Sequence, residues 1–208
     1  LSQPKINQIN FFFDPICPWT FVASQWIRNV ANTKGIPLVF RPFSLQIKNS
    51  DKTPTEPFIS YFRASQPTLR MAANLRKTDP EHNLPISELY WEFAKEFHLN
   101  NNKFEINPVE IALKIGLDEA TIKAKDDESL DSFLKKEMDY ALSFTGNDVG
   151  VPIIVLENET SQRGFFGPIL GRVPNEQEGI DLWNSLIHVA EMDFFYEAKR
   201  IRGSVVVS

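Results

Sequence analysis

The first apolar run, Ile9 to Phe13 (INFFF), is short, aromatic and unbroken, the pattern of a strand buried on both faces. Asp14, Pro15 and Pro18 end it. The period then changes: Val22, Trp26, Ile27 and Val30 fall at i, i+4, i+5 and i+8, one face of a helix. Gly35 is placed to stop that helix. Leu38 to Phe43 (LVFRPF) predicts a second strand, and Pro42 puts part of it at an edge or bulge. Lys48 to Pro57 is polar and dotted with proline, a connection into a different module. From about Phe58 to Phe144 the period is helical. Ile86, Leu89, Tyr90, Phe93 and Phe97 make one stripe; Leu130, Phe133, Leu134, Met138, Ala141 and Leu142 make another. Asn107-Pro108 reads as a cap and first helical position, and Gly116 with Asp118–Ala124 as a short further helix. Val151 to Leu156 (VPIIVL) returns to a strand pattern. A turn at 157–161 leads to a short strand at Arg163–Phe166, flanked by Gly164, Gly167 and Gly171. A last helix is predicted from Asn175 to Glu191, with Ile180, Trp183, Ile187 and Ala190 on its buried face.

The order is β-α-β, a helical block, then β-β-α. Two half-units separated by helices predict one α/β domain, residues 1–53 plus 148–208, carrying an inserted helical domain at 54–147. Composition fits: 208 residues, 42% hydrophobic and 24% charged, are ordinary for a globular chain. A net charge of −5 argues against a nucleic-acid surface. No apolar run approaches the length of a membrane span. LSQPKINQIN has neither the basic flank nor the apolar core of a signal peptide, and the cysteine usage leans cytoplasmic.

The chain has one cysteine, Cys17. An internal disulfide and a cysteine-cluster zinc site are therefore both excluded. His82, His98 and His188 are too scattered to suggest a metal site. No G-x-G-x-x-G, H-E-x-x-H or phosphate-loop motif occurs. What remains is Cys17-Pro18-Trp19-Thr20, set after a strand and at the start of a helix. Unpaired N–H groups and the helix dipole favour a thiolate there, so a lowered pKa is expected. Pro18 suits the first helical position. Thr20 could aim its hydroxyl at the sulfur, and Trp19 reads as a rim aromatic able to stack on a planar substrate. Val151-Pro152 opens the third strand. A cis bond there would leave the Val151 backbone free to pair with an extended thiol substrate.

These elements carry a family resemblance. FFFDPICPWTFVASQWI (11–27), DVGVPII (148–154), GFFGPILGRVP (164–174) and FFYEAKRIR (194–202) resemble segments of the mycothiol-dependent nitroreductase family, within the DsbA-like thioredoxin-fold proteins. LYWEFAKEFH (89–98) is similar to that family's helical domain. The resemblance implies a thioredoxin-like fold with an inserted all-helical domain and Cys17 as nucleophile. It also implies Pro152 as the cis proline facing Cys17. Mycothiol or another low-molecular-weight thiol would be co-substrate, with no tightly bound cofactor and a homodimer among the expected assemblies. Asp14, within DPICPW, and His98, at the end of its helix, join Val151 and Pro152 as expected substrate-side residues.

The paired-cysteine form of the motif has its second cysteine where this chain has Thr20. Without a resolving thiol, the expected chemistry is monothiol: Cys17 attacks a mixed disulfide or small electrophile, and an external thiol completes the cycle. Two other readings stay open. One is thiol transfer of the kappa-class glutathione transferase type, in which the cofactor's thiol is the nucleophile. The other is a redox-degenerate module that binds a hydrophobic ligand or protein.

Overall fold

A computed structural model describes residues 5–81, 83–100 and 102–207. Strands β1 (Gln8–Phe13), β2 (Leu38–Pro42), β3 (Ile153–Glu157) and β4 (Gln162–Phe166) form one sheet in the order β2-β1-β3-β4. β1 runs parallel to β2 and antiparallel to β3; β4 is antiparallel to β3. Phe11 is paired with Phe40 on one side and Ile154 on the other. β2 lies at the edge, which is where Pro42 is tolerated, since its missing N–H would leave a gap in a central strand.

The unbroken apolar run of β1 has a direct cause. Ile9, Phe11 and Phe13 enter one buried cluster, while Phe12 enters a second with Ile153 and Val155. Successive side chains point to opposite faces, and both faces are covered. Helix α1 (Pro18–Lys34) and α8 (Glu176–Ala190) contribute Trp26, Ile27, Trp183 and Ile187 to the larger cluster. Trp26 Nε1 donates to the Gly179 carbonyl at 3.0 Å, fixing α8 against α1. Gly35, at φ +66°, ends α1 in the left-handed conformation that glycine adopts freely. α8 starts with a capping box between Asn175 and Glu178.

Between β2 and β3 lie α2 (Leu45–Lys48), α3 (Phe58–Thr78), α4 (Leu84–His98), α5 (Pro108–Lys114), α6 (Glu119–Lys123), a 3-10 turn at Ala124–Asp126, and α7 (Leu130–Thr145). Asn107 and Asp118 cap α5 and α6 by accepting from Val109 and Thr121 N–H. α4 joins the larger cluster, with the Tyr90 ring 4.7 Å from Phe13 and 5.2 Å from Phe40. α7 covers the other sheet face through Met138, Ala141 and Leu142. It approaches β4 so closely that a Cβ on Gly164 would stand 2.5 Å from Phe144 Cβ. The sequence pattern did not show α2, a single turn between the predicted second strand and the connection expected from Lys48. α3 runs through Pro67, within its 21 residues.

α8 stops at Ala190, with Glu191 as its C-cap, close to the predicted end. The chain runs on without regular structure. The Arg202 guanidinium lies over the Phe166 ring, and Val206 N–H donates to the Gly171 carbonyl at 2.7 Å.

Candidate active site

Cys17 is the N-cap of α1, extended at φ −80° and ψ 117°, with Pro18 at the first helical position. Its backbone N–H donates to the Asp14 carbonyl at 3.1 Å and its own carbonyl accepts from Phe21 N–H at 3.0 Å. The side chain makes no cap bond of ordinary geometry. It donates to the Val151 carbonyl at 3.5 Å. The Val151-Pro152 peptide is cis. Pro152 is itself tied to the sheet, its carbonyl accepting from Gly167 N–H at 2.8 Å. Two segments separated by more than 130 residues thus meet at the thiol.

The sulfur is covered: Cys17 is 7% exposed and lies in the smaller cluster with Phe12, Phe43 and Val151. Trp19, Leu45 and Ile47 pack against that cluster, Trp19 half-buried at its rim. The family resemblance implies a cover from the helical block; the part played by α2, which precedes that block, was not expected from the sequence. α2 lies over the loop, and Leu45 comes so near Gly150 that a Cβ there would be 3.2 Å from Leu45 Cδ2. Lys48 Nζ donates to the Asn147 carbonyl at 2.6 Å, joining α2 to the segment that leads into Pro152. The signal that could have found α2 is Ser44. It is buried, caps the turn by accepting from Ile47 N–H, and donates to Gln66 of α3 at 2.6 Å.

The expectation of a lowered thiol pKa is overturned for this closed arrangement. Burial pushes the Cys17 thiol up, and the Asp14 charge adds to it; hydrogen bonds from the Thr20 side chain and from Thr20 and Trp19 N–H oppose the rise. Desolvation wins because an ion loses more by leaving water than a few donors return. Thr20 stands where the sequence placed it. Its hydroxyl is buried and has no partner of ordinary hydrogen-bond geometry, yet it is near enough to sulfur to favour the thiolate.

Asp14 and His98 sit behind the loop rather than on an open face. Asp14 is fully buried; Oδ1 accepts from Ile16 N–H at 3.2 Å and Oδ2 from Leu45 N–H at 2.8 Å. Burial pushes its carboxyl up to about 7. His98 Nε2 donates to the Pro15 carbonyl at 2.9 Å, and its ring stacks on Phe21 at 4.9 Å. Burial pulls its pKa down to about 4, so it is neutral at physiological pH. Both side chains hold the loop that carries Cys17; in this arrangement neither is open to a substrate. His82 lies outside the described residues. Among the described residues no cluster of His, Cys, Asp and Glu is arranged to hold a metal ion, and no helix is long and apolar enough to cross a membrane.

Residues 16–200 match the model of the Rv2466c-like family, described as mycothiol-dependent nitroreductase Rv2466c. The chain belongs to that family. The match includes Cys17, Val151 and Pro152. A curated relative, the uncharacterized protein Rv2286c of Mycobacterium tuberculosis, is 26% identical over 198 residues, spanning 94% of this chain and 82% of the relative. Among solved structures, the cytosolic disulfide reductase DsbM of Pseudomonas aeruginosa superposes with a TM-score of 0.58 at 13% identity, covering 87% of this chain and 98% of that one. A DsbM structure with GSH gives 0.55 at 12% identity, over 87% and 99%. DsbA of the same organism gives 0.51 at 16% identity, over 90% and 85%. The chain therefore has the DsbA-like thioredoxin fold, and its family supports a thiol-redox role.

Proposed function

We propose that the protein is a monothiol oxidoreductase acting through Cys17, with a low-molecular-weight thiol as co-substrate. The observation that carries this reading is the meeting of three groups at one sulfur. Cys17 starts a helix, the partnerless Thr20 hydroxyl lies beside it, and the backbone of Val151 faces it. The hydroxyl that no group uses in the thiol state is a donor for the thiolate.

The cycle balances without a second cysteine. The Cys17 thiolate attacks the low-molecular-weight sulfur of a mixed disulfide, R–S–S–M. The R–S bond partner leaves as a thiolate and takes a proton from water. Cys17 is now held in Cys17–S–S–M, with Val151 and the half-buried Trp19 lining the approach. A second M–SH, ionised, attacks the M sulfur. M–S–S–M leaves and the Cys17 thiolate returns. The net reaction is R–S–S–M + M–SH to R–SH + M–S–S–M: one free thiol is consumed and one disulfide is exchanged for another. Mycothiol fits the role of M–SH through the family's description, and a glutathione-type thiol through the DsbM structure with GSH. We place this chemistry in the cytoplasm, as for DsbM. A dithiol cycle that stores a disulfide inside the chain is ruled out, because there is one cysteine.

The test is direct. Incubating the protein with mycothiol disulfide or glutathione disulfide is expected to add one thiol moiety to the intact mass, and excess thiol to remove it. Cys17→Ser is expected to abolish both the adduct and thiol-dependent reduction of a mixed-disulfide substrate, at least about a hundredfold. Turnover unchanged in that variant would sink the reading. A thioether product instead of a disulfide would favour thiol transfer of the kappa-class type.

A further inference from the structure

Among the described residues, Asp14 is a buried acid that joins the loop carrying the sulfur to α2, whose Leu45 packs against the cluster around Cys17. Oδ1 takes the Ile16 N–H of the loop; Oδ2 takes the Leu45 N–H of α2. Asp14 is wholly buried, so water replaces neither bond. An ionised carboxyl accepts strongly at both oxygens, whereas a protonated one accepts well at only one. Asp14 also acts on Cys17 through space: its charge opposes the thiolate. We propose that Asp14 is a positioning residue that couples ionisation of Cys17 to the seating of α2: as a carboxylate it clamps Leu45 over the thiol, and on protonation it releases the clamp while the thiolate forms. The inference rests on Cys17 being the reactive group.

The coupling has a simple electrostatic origin. Two anions in one poorly hydrated site disfavour each other, so the proton lost by Cys17 is favoured on Asp14. Burial brings the Asp14 carboxyl to about 7, so its own ionisation falls in the physiological range, below that of the Cys17 thiol, which burial pushes up. The other groups facing this site do not compete for the proton. Tyr90 of α4 is pushed up by burial and stays neutral, donating to Ser24. His98 of α4 is engaged at the Pro15 carbonyl and neutral. Lys48 of α2 is turned to Asn147. α2 is a single turn, tied to the loop by the Leu45 N–H bond, to α3 through Ser44 and Gln66, and to the segment before Pro152 through Lys48 and Asn147; protonating Asp14 loosens the first of these ties beside a thiol that is 7% exposed.

The experiment is the rate of Cys17 alkylation by iodoacetamide against pH, on the full chain, with intact-mass readout. It needs no enzyme turnover, so it stays interpretable even if no mixed disulfide forms. The wild-type profile is expected to rise, flatten near pH 7 where Asp14 ionises, and rise again. Asp14→Asn is expected to give a single titration with no shoulder and a rate at pH 8 on the order of tenfold higher, since one opposing charge is gone. Leu45→Pro separates the clamp from the charge. Proline is accepted at the first helical position, and Ser44, at φ −97° and ψ 114°, already has the extended backbone that precedes proline. Leu45→Pro removes the N–H and is expected to be alkylated several-fold faster than Leu45→Ala, with the shoulder kept and moved to higher pH. A wild-type profile without a shoulder overturns the proposal, as does an Asp14→Asn profile that superimposes on it. If Asp14→Asn does not melt cooperatively, the proline and alanine variants decide: equal rates overturn the clamp.

Discussion

Thr20 shows how one hydroxyl can matter to reactivity and not to stability. It is fully buried and partnerless while Cys17 is a thiol, which is an unfavourable state for a polar atom. It becomes useful only when the sulfur ionises, because a donor beside an anion makes the stronger kind of hydrogen bond. Thr20→Val keeps the shape and removes the donor. The Cys17 pKa is expected to rise further and alkylation at pH 7.5 to slow about tenfold. The melting temperature is expected to stay level or rise, because an unsatisfied polar atom has been replaced by a methyl group. A fall in stability with unchanged alkylation would reverse this assignment. At this scale the sequence showed the residues of the motif and their order along the chain. It did not show the sign of the Cys17 shift, which depends on how deep Leu45, Ile47 and Phe43 bury the sulfur.

Elements are joined across the covered side of the sheet by buried charge. Arg41 of β2 donates twice to Glu137 of α7, at 2.7 and 2.8 Å, and Arg76 of α3 adds a third bond at 3.3 Å. The Arg41 and Glu137 side chains are 12% and 10% exposed. The Arg41 guanidinium also lies over the Tyr140 and Phe12 rings. Two cations share one carboxylate; removing it leaves Arg41 with the Asn10 side chain at 3.5 Å and Arg76 with the Pro80 carbonyl at 3.0 Å, and neither with a counter-charge at that position. Glu137→Ala is expected to cost about 3–5 kcal/mol in urea unfolding, the usual loss when a buried pair is broken. The same substitution should leave the alkylation profile of Cys17 unchanged in the folded protein. None of this was legible in the helical stripe of α7, where Met138, Ala141 and Leu142 announced the apolar face. Glu137 lies beside that face and is not part of the stripe. Likewise α2 has too few residues to show a period, and only its cap, Ser44, carried a local signal.

For the molecule as a whole, two buried titrations pull stability in opposite directions. The Asp14 carboxyl is raised from 3.8 to about 7 by burial, so it favours the folded state most at low pH and loses that contribution as pH rises toward about 7. The His98 imidazole is lowered from 6.5 to about 4, so it favours the folded state most above 6.5 and loses that as pH falls toward about 4. Between about 4 and 6.5 the two slopes oppose. Asp14→Asn is expected to uncover a loss of stability on acidification through that window. His98→Gln, which keeps a donor for the Pro15 carbonyl, is expected to uncover a loss as pH rises. Each slope is at most about 1.4 kcal/mol per pH unit. Urea midpoints at half-unit pH intervals measure both, and parallel curves for all three proteins would show that neither group carries the effect.

Local order along the chain was decided by the sequence alone: the alternation of strand and helix, the αL stop at Gly35, the caps at Asn107 and Asn175, and a cysteine set at a helix start. These follow from backbone preferences and side-chain periods, which act over a few residues. Tertiary structure decided what surrounds the sulfur. Val151 reaches Cys17 because β3 pairs with β1, and Leu45 packs against the cluster that holds Cys17, with its N–H accepted by Asp14, thirty-one positions earlier. Burial, and with it the charge state of Asp14, Cys17 and His98, is a property of packing between distant segments. No local pattern encodes it.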